Sequence, residues 1–389
     1  MSERRSEGDR VTAPDPAVTG PVVAPEAPAP DPANLVCPAP IPERARVLLG
    51  HGSGGQLSAA LMREVIGPAL GSAAAVGADG AETAGQVGPL NDAAVVEVAG
   101  QRLAFTTDSF VVSPLEFPGG DIGELAVNGT VNDLAMMGAQ PLALSLAYVI
   151  EEGLPIDELR KVTESVARAA SRAGVRIVTG DTKVVGRGAA DGLFVNTAGI
   201  GLVAAGVSVS ADRAAVGDTV ILSGPIGLHG IAIMSVREGL DFEVEIASDT
   251  QPLNGLVAAI VAACPEVRVL RDPTRGGLAS TLNEIAAASG VGIELSEETI
   301  PIPGPVHAAC EMLGLDPLHV ANEGKLVAIV PAAAADAVLA AMRDVPEGAG
   351  AAAIGRVVAD HPAMVTMRTI VGSQRIVDML VGEQLPRIC

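Results

Sequence analysis

Apolar residues recur along most of the chain at two spacings, three-to-four and two, which divide it into alternating helix-like and strand-like segments. In the first half the pattern predicts helices over Gln56 to Leu70, Asp121 to Met137 and Asp157 to Ala173. For the third helix Asp157 serves as N-cap and Gly174 as the stop. Strands are predicted at Arg102 to Thr106, Leu142 to Ile150, Arg176 to Thr179 and Leu193 to Ala204. A second series starts near Val207. It holds strands at Thr219 to Leu222 and Lys325 to Val330, with helices at Gly227 to Glu238, Pro252 to Ala263, Gly276 to Ser289 and Ala332 to Arg343. The parse is two mixed α/β domains, 43–205 and 206–380, followed by a short segment, 381–389, which contains Pro386 and reads as an unpacked, mobile tail.

One helix departs from ordinary amphipathic spacing. Asp121, Glu124, Asn128 and Asn132 fall at i, i+3, i+7 and i+11, a narrow polar arc on a helix otherwise built from residues such as Leu125, Val127, Val131 and Leu134. Two asparagines with so few lysines or arginines make a poor solvated face, so the stripe is read as facing a polar site.

Composition adds limits. Residues 11–42 carry ten prolines and little periodicity, so 1–42 is read as a disordered arm, and Gly71 to Pro89, rich in Ala and Gly, as a flexible loop. The aromatic share is 2% against a hydrophobic fraction of 49%, so cores must be built from Ala, Val, Leu and Ile. A net charge of −21 argues against a nucleic-acid partner but not against a nucleotide, whose phosphates magnesium and backbone N–H groups can hold. Four separated cysteines with no CxxC pair, and no apolar leader, point to a reducing, cytoplasmic setting. The uncharged run Gly192 to Ala211 is long enough for a bilayer, but its glycines and valines suit two buried strands better.

Several short motifs carry possible chemistry. His51-Gly52-Ser53-Gly54-Gly55 leads into a helix, where a phosphate could approach the backbone, although a plain turn suits the same residues. Asp92, Asp108 and Asp133 each abut an apolar segment. Hard oxygens from separate loops would suit phosphate-bound magnesium, while any one of the three is more often a turn or cap residue. Asp181 and Lys183 follow a short strand, a common place for ligands in α/β folds, or form a surface turn. Asp272 and Arg275 open a second-half helix with a glycine turn, and Glu323 before a strand is a candidate general base or a strand-entry residue. Cys389 ends the chain. A thiol on a mobile segment of roughly ten residues would reach about 30 Å, enough to be loaded at one site and used at another.

Together these motifs closely resemble the HypE family of nickel–iron hydrogenase maturation proteins, from about Val36 to Cys389. The most specific parts are Asn132-Asp133-Leu134-Ala135-Met136-Met137-Gly138 and Pro386-Arg387-Ile388-Cys389. The wider superfamily includes aminoimidazole-ribonucleotide synthetase, selenophosphate synthetase and thiamine-monophosphate kinase. The resemblance implies a two-domain PurM-like α/β (α+β mixed) fold, whose N-terminal domain pairs with a second subunit in a barrel-like homodimer. It implies ATP and Mg2+ in the cleft, with Asp92, Asp108, Asp133 and Asp272 toward metal and phosphate. Residues His51 to Gly55, Asp121, Asn128, Asn132, Asp181 and Arg275 would lie near the nucleotide. A HypF-like carbamoyltransferase would load Cys389, and Glu323 with Lys183 would assist dehydration of the carbamoyl group to a thiocyanate. A HypC–HypD-like iron scaffold would then receive the cyanide. Two rivals are weaker: another kinase or synthetase of the superfamily has no need of a terminal thiol, and a non-catalytic scaffold leaves the aspartates idle.

Overall fold

The computed structural model describes residues 46–74, 91–240, 246–380, 385 and 387–389. The expectations for the arm over 1–42 and for the loop over 75–89 lie outside the described residues. A 3-10 turn, Leu49–Gly52, precedes α1 (Gln56–Leu61), a π-helical stretch (Met62–Ile66) and α2 (Gly67–Ala74). The single helix expected over Gln56 to Leu70 is thus divided, and it runs on into the stretch read as loop.

The first sheet contains β1 (Ala94–Val98), β2 (Gln101–Phe110), β5 (Ala139–Glu151), β6 (Arg176–Val185) and β7 (Leu193–Val203), in the order β1-β2-β7-β5-β6. A two-stranded ribbon, β3 (Glu116–Phe117) with β4 (Gly120–Asp121), precedes α3 (Ile122–Met136). Only β5 and β6 run parallel, joined by α4 (Ile156–Ala173). Pro155 takes the cap position of α4, and Asp157 sits in its first turn, where a carboxylate suits the helix's positive end. The run from Gly192 forms one long strand, not two. Among the described residues no helix is long and apolar enough to cross a membrane.

The barrel-like arrangement is not formed. Among the described residues the sheet is open, with β1 paired only to β2 and β6 only to β5, whereas a closed barrel has no unpaired edge. Helices α3 and α4 cover one face. On the strands' other side Phe105 (48%), Ile200 (42%) and Val178 (58%) remain exposed.

The second sheet, ordered β14-β13-β10-β12-β8-β11-β9, comprises β8 (Thr219–Leu222), β9 (Val269–Arg271), β10 (Gly292–Ser296), β11 (Val327–Val330), β12 (Ala352–Val358), β13 (Val365–Arg368) and β14 (Gln374–Val377). Its helices are α5 (Leu228–Arg237), α6 (Asn254–Ala263), α7 (Gly277–Ser289), α8 (Gly304–Leu313) and α9 (Ala335–Arg343). One core packs α7 against the sheet through Leu278, Leu282 and Ile285; another packs α6 and α9 through Leu256, Ile260 and Val338.

Helix α3 joins the halves. It is apolar on nearly every side, and such a helix must be enclosed on nearly every side. Leu125, Val127, Val131 and Leu134 are fully buried, and Ala135 and Met136 enter the core of α6 and α9. Its polar stripe faces neighbouring elements rather than solvent. Asp121 caps the helix by accepting from the N–H groups of Gly123 (2.7 Å) and Glu124 (3.0 Å), and Glu124 pairs with Arg172. Asn128 donates to Thr250 Oγ1 (3.1 Å). Asn132 accepts from Leu253 N–H (2.8 Å) and donates to the carbonyls of Gln251 (3.1 Å) and Glu323 (3.4 Å).

Asn132→Ala would leave buried backbone groups of the second half unpaired. It should lower the unfolding free energy by about 2–4 kcal/mol, read by urea denaturation; a loss below roughly 0.5 kcal/mol would show that the bridge contributes nothing.

Candidate active site

The site begins with strand alternation. Along β2, Ala104, Thr106, Asp108 and Phe110 point toward α3, and the residues between them point away. Gly129 on α3 makes room for this strand: a Cβ there would lie 2.9 Å from the Phe110 ring and 3.9 Å from Asp108 Oδ2. Thr106 donates to Asp133 Oδ2 (2.8 Å), one turn further along α3, and lies 3.0 Å from the carbonyl of Asp92. From the second half, β9 ends at Arg271, whose Nε lies 2.7 Å from Asp92 Oδ1 and whose Nη2 lies 2.9 Å from Glu284 Oε2. Asp272 follows at once and is buried.

These carboxylates lie within each other's fields. Burial pushes Asp133 well above the usual carboxylate range, and Asp272, Asp92 and Asp108 add to the effect. Asp272 is raised well above that range by burial and by Asp92, against the pull of Arg271. Asp92 is pushed up to about 6 by burial, although Arg271 opposes it. Asp108 is raised by burial, with Arg275 opposing. Burial disfavours the Arg271 cation, but Asp92 and Glu284 more than offset that and keep it charged.

Glu323 enters from the loop before β11, held by its neighbour. Asn322 accepts from Gly227 N–H (2.7 Å) and donates to the carbonyls of Pro273 (2.9 Å) and Val320 (3.0 Å), tying three loops together. Asp249 Oδ1 accepts from Glu323 N–H (3.2 Å), and its Oδ2 lies 3.4 Å from Lys325 Nζ. Glu323 Oε1 is buried with no hydrogen-bond partner among the described residues. Burial raises its carboxyl well above the ordinary value, with Asp272, Asp108 and Asp249 acting in the same direction and Arg275 against.

Two glycine turns meet beside this cluster. Arg275 Nη1 donates to the Gly52 carbonyl (2.9 Å). Gly54, at φ +76°, lies so close that a Cβ would sit 2.5 Å from the Arg275 carbonyl oxygen. Within the loop Ser53 Oγ donates to the Gly50 carbonyl (2.8 Å), and Ser58 Oγ accepts from Gly54 N–H (2.9 Å). His51 Nδ1 accepts from Leu48 N–H (3.0 Å), and Gly55 abuts Leu380.

The end of the chain is packed here, contrary to the unpacked tail expected. Ile388 is buried in the core of α3 and α5, because its side chain fills space among Phe110, Ile122 and Ile233. Val111 N–H donates to the Cys389 carbonyl (3.0 Å), Arg387 Nε donates to the Val111 carbonyl (3.1 Å), and Arg387 Nη1 pairs with Asp191 (2.5 Å). The Cys389 thiol is pushed far up by burial and by the neighbouring Glu323, Asp108 and Asp272, with Arg275 opposing. In this position it is held as the neutral thiol.

The structure does not bring Lys183 and Asp181 to Glu323. They pair with each other (2.6 Å) on β6 and are 67% and 62% exposed. Sequence reasoning missed Asp249, and it missed His229, a buried histidine whose Nε2 lies 2.8 Å from the Ile388 carbonyl oxygen.

Two family descriptions match the chain: the N-terminal domain of AIR synthase related proteins over residues 90–203 and the C-terminal domain over 215–367. The carbamoyl dehydratase HypE of Azotobacter vinelandii is 54% identical over 339 residues, covering 87% of this chain and 96% of that protein. A solved hydrogenase maturation protein HypE in complex with ATP is 46% identical with a TM-score of 0.72, covering 88% of this chain and all of that one. A HypE–HypF complex matches at 50% identity and a TM-score of 0.72, over 75% of this chain and 94% of that one. Identity of this extent, over a fold that brings the aspartates and the last cysteine near one another, shows that the chain belongs to the HypE family of carbamoyl dehydratases.

Proposed function

We propose that Cys389 carries the carbamoyl group in this chain and that Glu323 is the base for its dehydration. The family's activity is the ATP-dependent conversion of such a group to a thiocyanate, the source of cyanide ligands for nickel–iron hydrogenase. The observation that carries the assignment is the docked end of the chain: the Cys389 thiol lies within the fields of Glu323, Arg275, Asp108 and Asp272.

An amide oxygen leaves poorly, so water cannot simply depart from S–C(=O)–NH2. ATP, when bound, supplies the phosphoryl group that turns this oxygen into departing phosphate, with magnesium neutralising the charge. The overall balance is S-carbamoyl plus ATP to S-cyano, ADP and phosphate. Glu323 fits the task of taking the amide protons. Its Oε1 is buried and unpartnered, and its raised carboxyl is a stronger base than an exposed glutamate once ionised. Arg275 supplies fixed positive charge beside the thiol, and its contact with Gly52 sets the glycine loop against the same space.

Asp92, Asp108, Asp133 and Asp272 are the residues that would hold magnesium. Their hard oxygens fit the ion, and Asp92 Oδ2 is buried with no hydrogen-bond partner. Among the described residues no three such groups already stand as a metal site, so phosphate oxygens would complete the shell. Asp121 is engaged in capping α3, and Asn128 and Asn132 are engaged in bonds to loops of the second half. Lys183 is left without a role in this chain's own site.

A HypF-like carbamoyltransferase would load Cys389, and a HypC–HypD-like iron scaffold would receive the cyanide, both with the tail undocked. We infer two domains, 43–205 and 206–380, each contributing one sheet, and a cytoplasmic setting that keeps the described cysteines free. We also infer a homodimer, favoured by the exposed apolar face that includes Phe105 and Ile200; light scattering that gives a monomer mass at micromolar concentration would refute it.

Incubation with ATP, magnesium, carbamoyl phosphate and the loading partner should give carbamoyl and then cyano adducts on Cys389 by intact-mass analysis. Cys389→Ala should give neither, and Asp108→Asn should accept carbamoyl yet dehydrate it at least about 100-fold more slowly. Adducts on Cys264 or Cys310 would refute the assignment. Asp133 should trade stability for function. Its carboxyl is raised on folding, so the folded state holds its proton over a range where the unfolded chain has lost it, and the cost of the charge grows with pH. Asp133→Asn should therefore raise the unfolding free energy near neutral pH by about 1–2 kcal/mol while abolishing dehydration. The gain should shrink as the pH falls and disappear near pH ~4; a variant less stable than wild type at neutral pH would contradict this account.

A further inference from the structure

We propose that His229 is a positioning residue that holds the last residues of the chain in the docked state, with Ser248 supporting the tautomer that lets it do so. The proposal rests on Cys389 being the carrier, and it adds what keeps the carrier in place.

His229 sits on α5, fully buried, and none of the steps above uses it. Its Nε2 lies 2.8 Å from the Ile388 carbonyl oxygen and its Nδ1 lies 2.8 Å from Ser248 Oγ. A carbonyl oxygen only accepts, so Nε2 carries the hydrogen. In the neutral ring Nδ1 is then the acceptor, and the Ser248 hydroxyl must donate to it. Ser248 Oγ in turn lies 3.2 Å from Thr250 N–H, and Thr250 Oγ1 accepts from Asn128 on α3 (3.1 Å). A directed chain of hydrogen bonds therefore runs from α3 through the 248–250 loop to the tail. Phe117 meets the imidazole edge-on, with ring centroids 5.5 Å apart at 89°, and fixes its plane. Burial lowers the His229 pKa. Asp249 from the loop and the Ile388 carbonyl oppose that, Arg237 from its own helix reinforces it, and the ring stays neutral.

The remaining tail contacts leave this one in a distinct position. Arg237 donates to the Arg387 carbonyl, and Val111 N–H to that of Cys389. His229 grips the carbonyl between them, one residue short of the thiol. It holds main chain and not cargo, so the same grip is available whether Sγ is free, carbamoylated or cyanated. It also sits where undocking must break it.

The test uses the full chain and two rates: alkylation of Cys389 by iodoacetamide, and single-turnover dehydration of protein already carbamoylated on Cys389. His229→Ala should speed alkylation about fivefold to tenfold, as loss of about one hydrogen bond predicts, and should also slow dehydration because the thiol is less well placed. Carbamoyl loading should not slow. His229→Gln, whose amide N–H can take the place of Nε2–H, should return both rates to within about twofold of wild type. Should the alanine variant fail to fold, Ser248→Ala leaves the ring in place but frees its tautomer, and it should shift both rates the same way by about twofold to threefold. Wild-type rates in the alanine or serine variant, or a glutamine variant as defective as alanine, would overturn the proposal. Alkylation needs no carbamoyl chemistry, so a wild-type protein that forms no cyano adduct would refute the carrier assignment while the grip is still tested.

Discussion

Burying several carboxylates in one space, with too few cations to match them, is the constraint around which this molecule is arranged. Asp92, Asp133, Asp272 and Glu323 are all raised by loss of water and by neighbouring carboxylates, and Arg271 and Arg275 compensate only in part. Such an arrangement opposes folding, because charge taken out of water must be neutralised or protonated. The apolar cores on α3, on α7 and on α6 with α9 supply the compensating stability. What the carboxylates provide is a cluster of hard oxygens and proton-holding groups drawn from both halves of the chain.

Helix α3 shows how the constraint and the fold are reconciled. Its apolar surface belongs to the cores of both halves, while Asp133 contributes to the pocket and Asn128 and Asn132 bond to loops of the second half. The first-half carboxylates are thereby set against Asp272 and Glu323 with little freedom to separate. Separation would break buried hydrogen bonds at the same time as it relieved repulsion.

The docked end of the chain completes the space. Ile388 contributes apolar burial, and the carbonyls of residues 387 to 389 are each bonded to a group on the body of the protein. The thiol is brought to the carboxylates in its neutral form, a poor nucleophile.

From the sequence alone, periodicity placed most helices and strands of the first half, because α4 and β7 expose one face and bury another and so carry a clear repeat. The short strands β9, β10, β12, β13 and β14 left too little pattern, and the division of the first helix by a π-helical stretch left none. Residue types around Asp92, Asp108, Asp133, Asp272, Glu323 and Cys389 were legible as chemistry because carboxylates and a thiol stand out beside apolar segments. Their convergence was not, since it depends on contacts between residues more than a hundred positions apart. The polar stripe of α3 was read as facing a polar site, whereas Asp121 caps the helix and Asn128 and Asn132 bond to loops of the second half. Which partner it faced, and that Lys183 lies on an exposed edge while His229 lies under the tail, only the packing of the two halves could decide. Local sequence determines which groups a segment carries and how they repeat, whereas distances between segments follow from how their apolar faces close on one another.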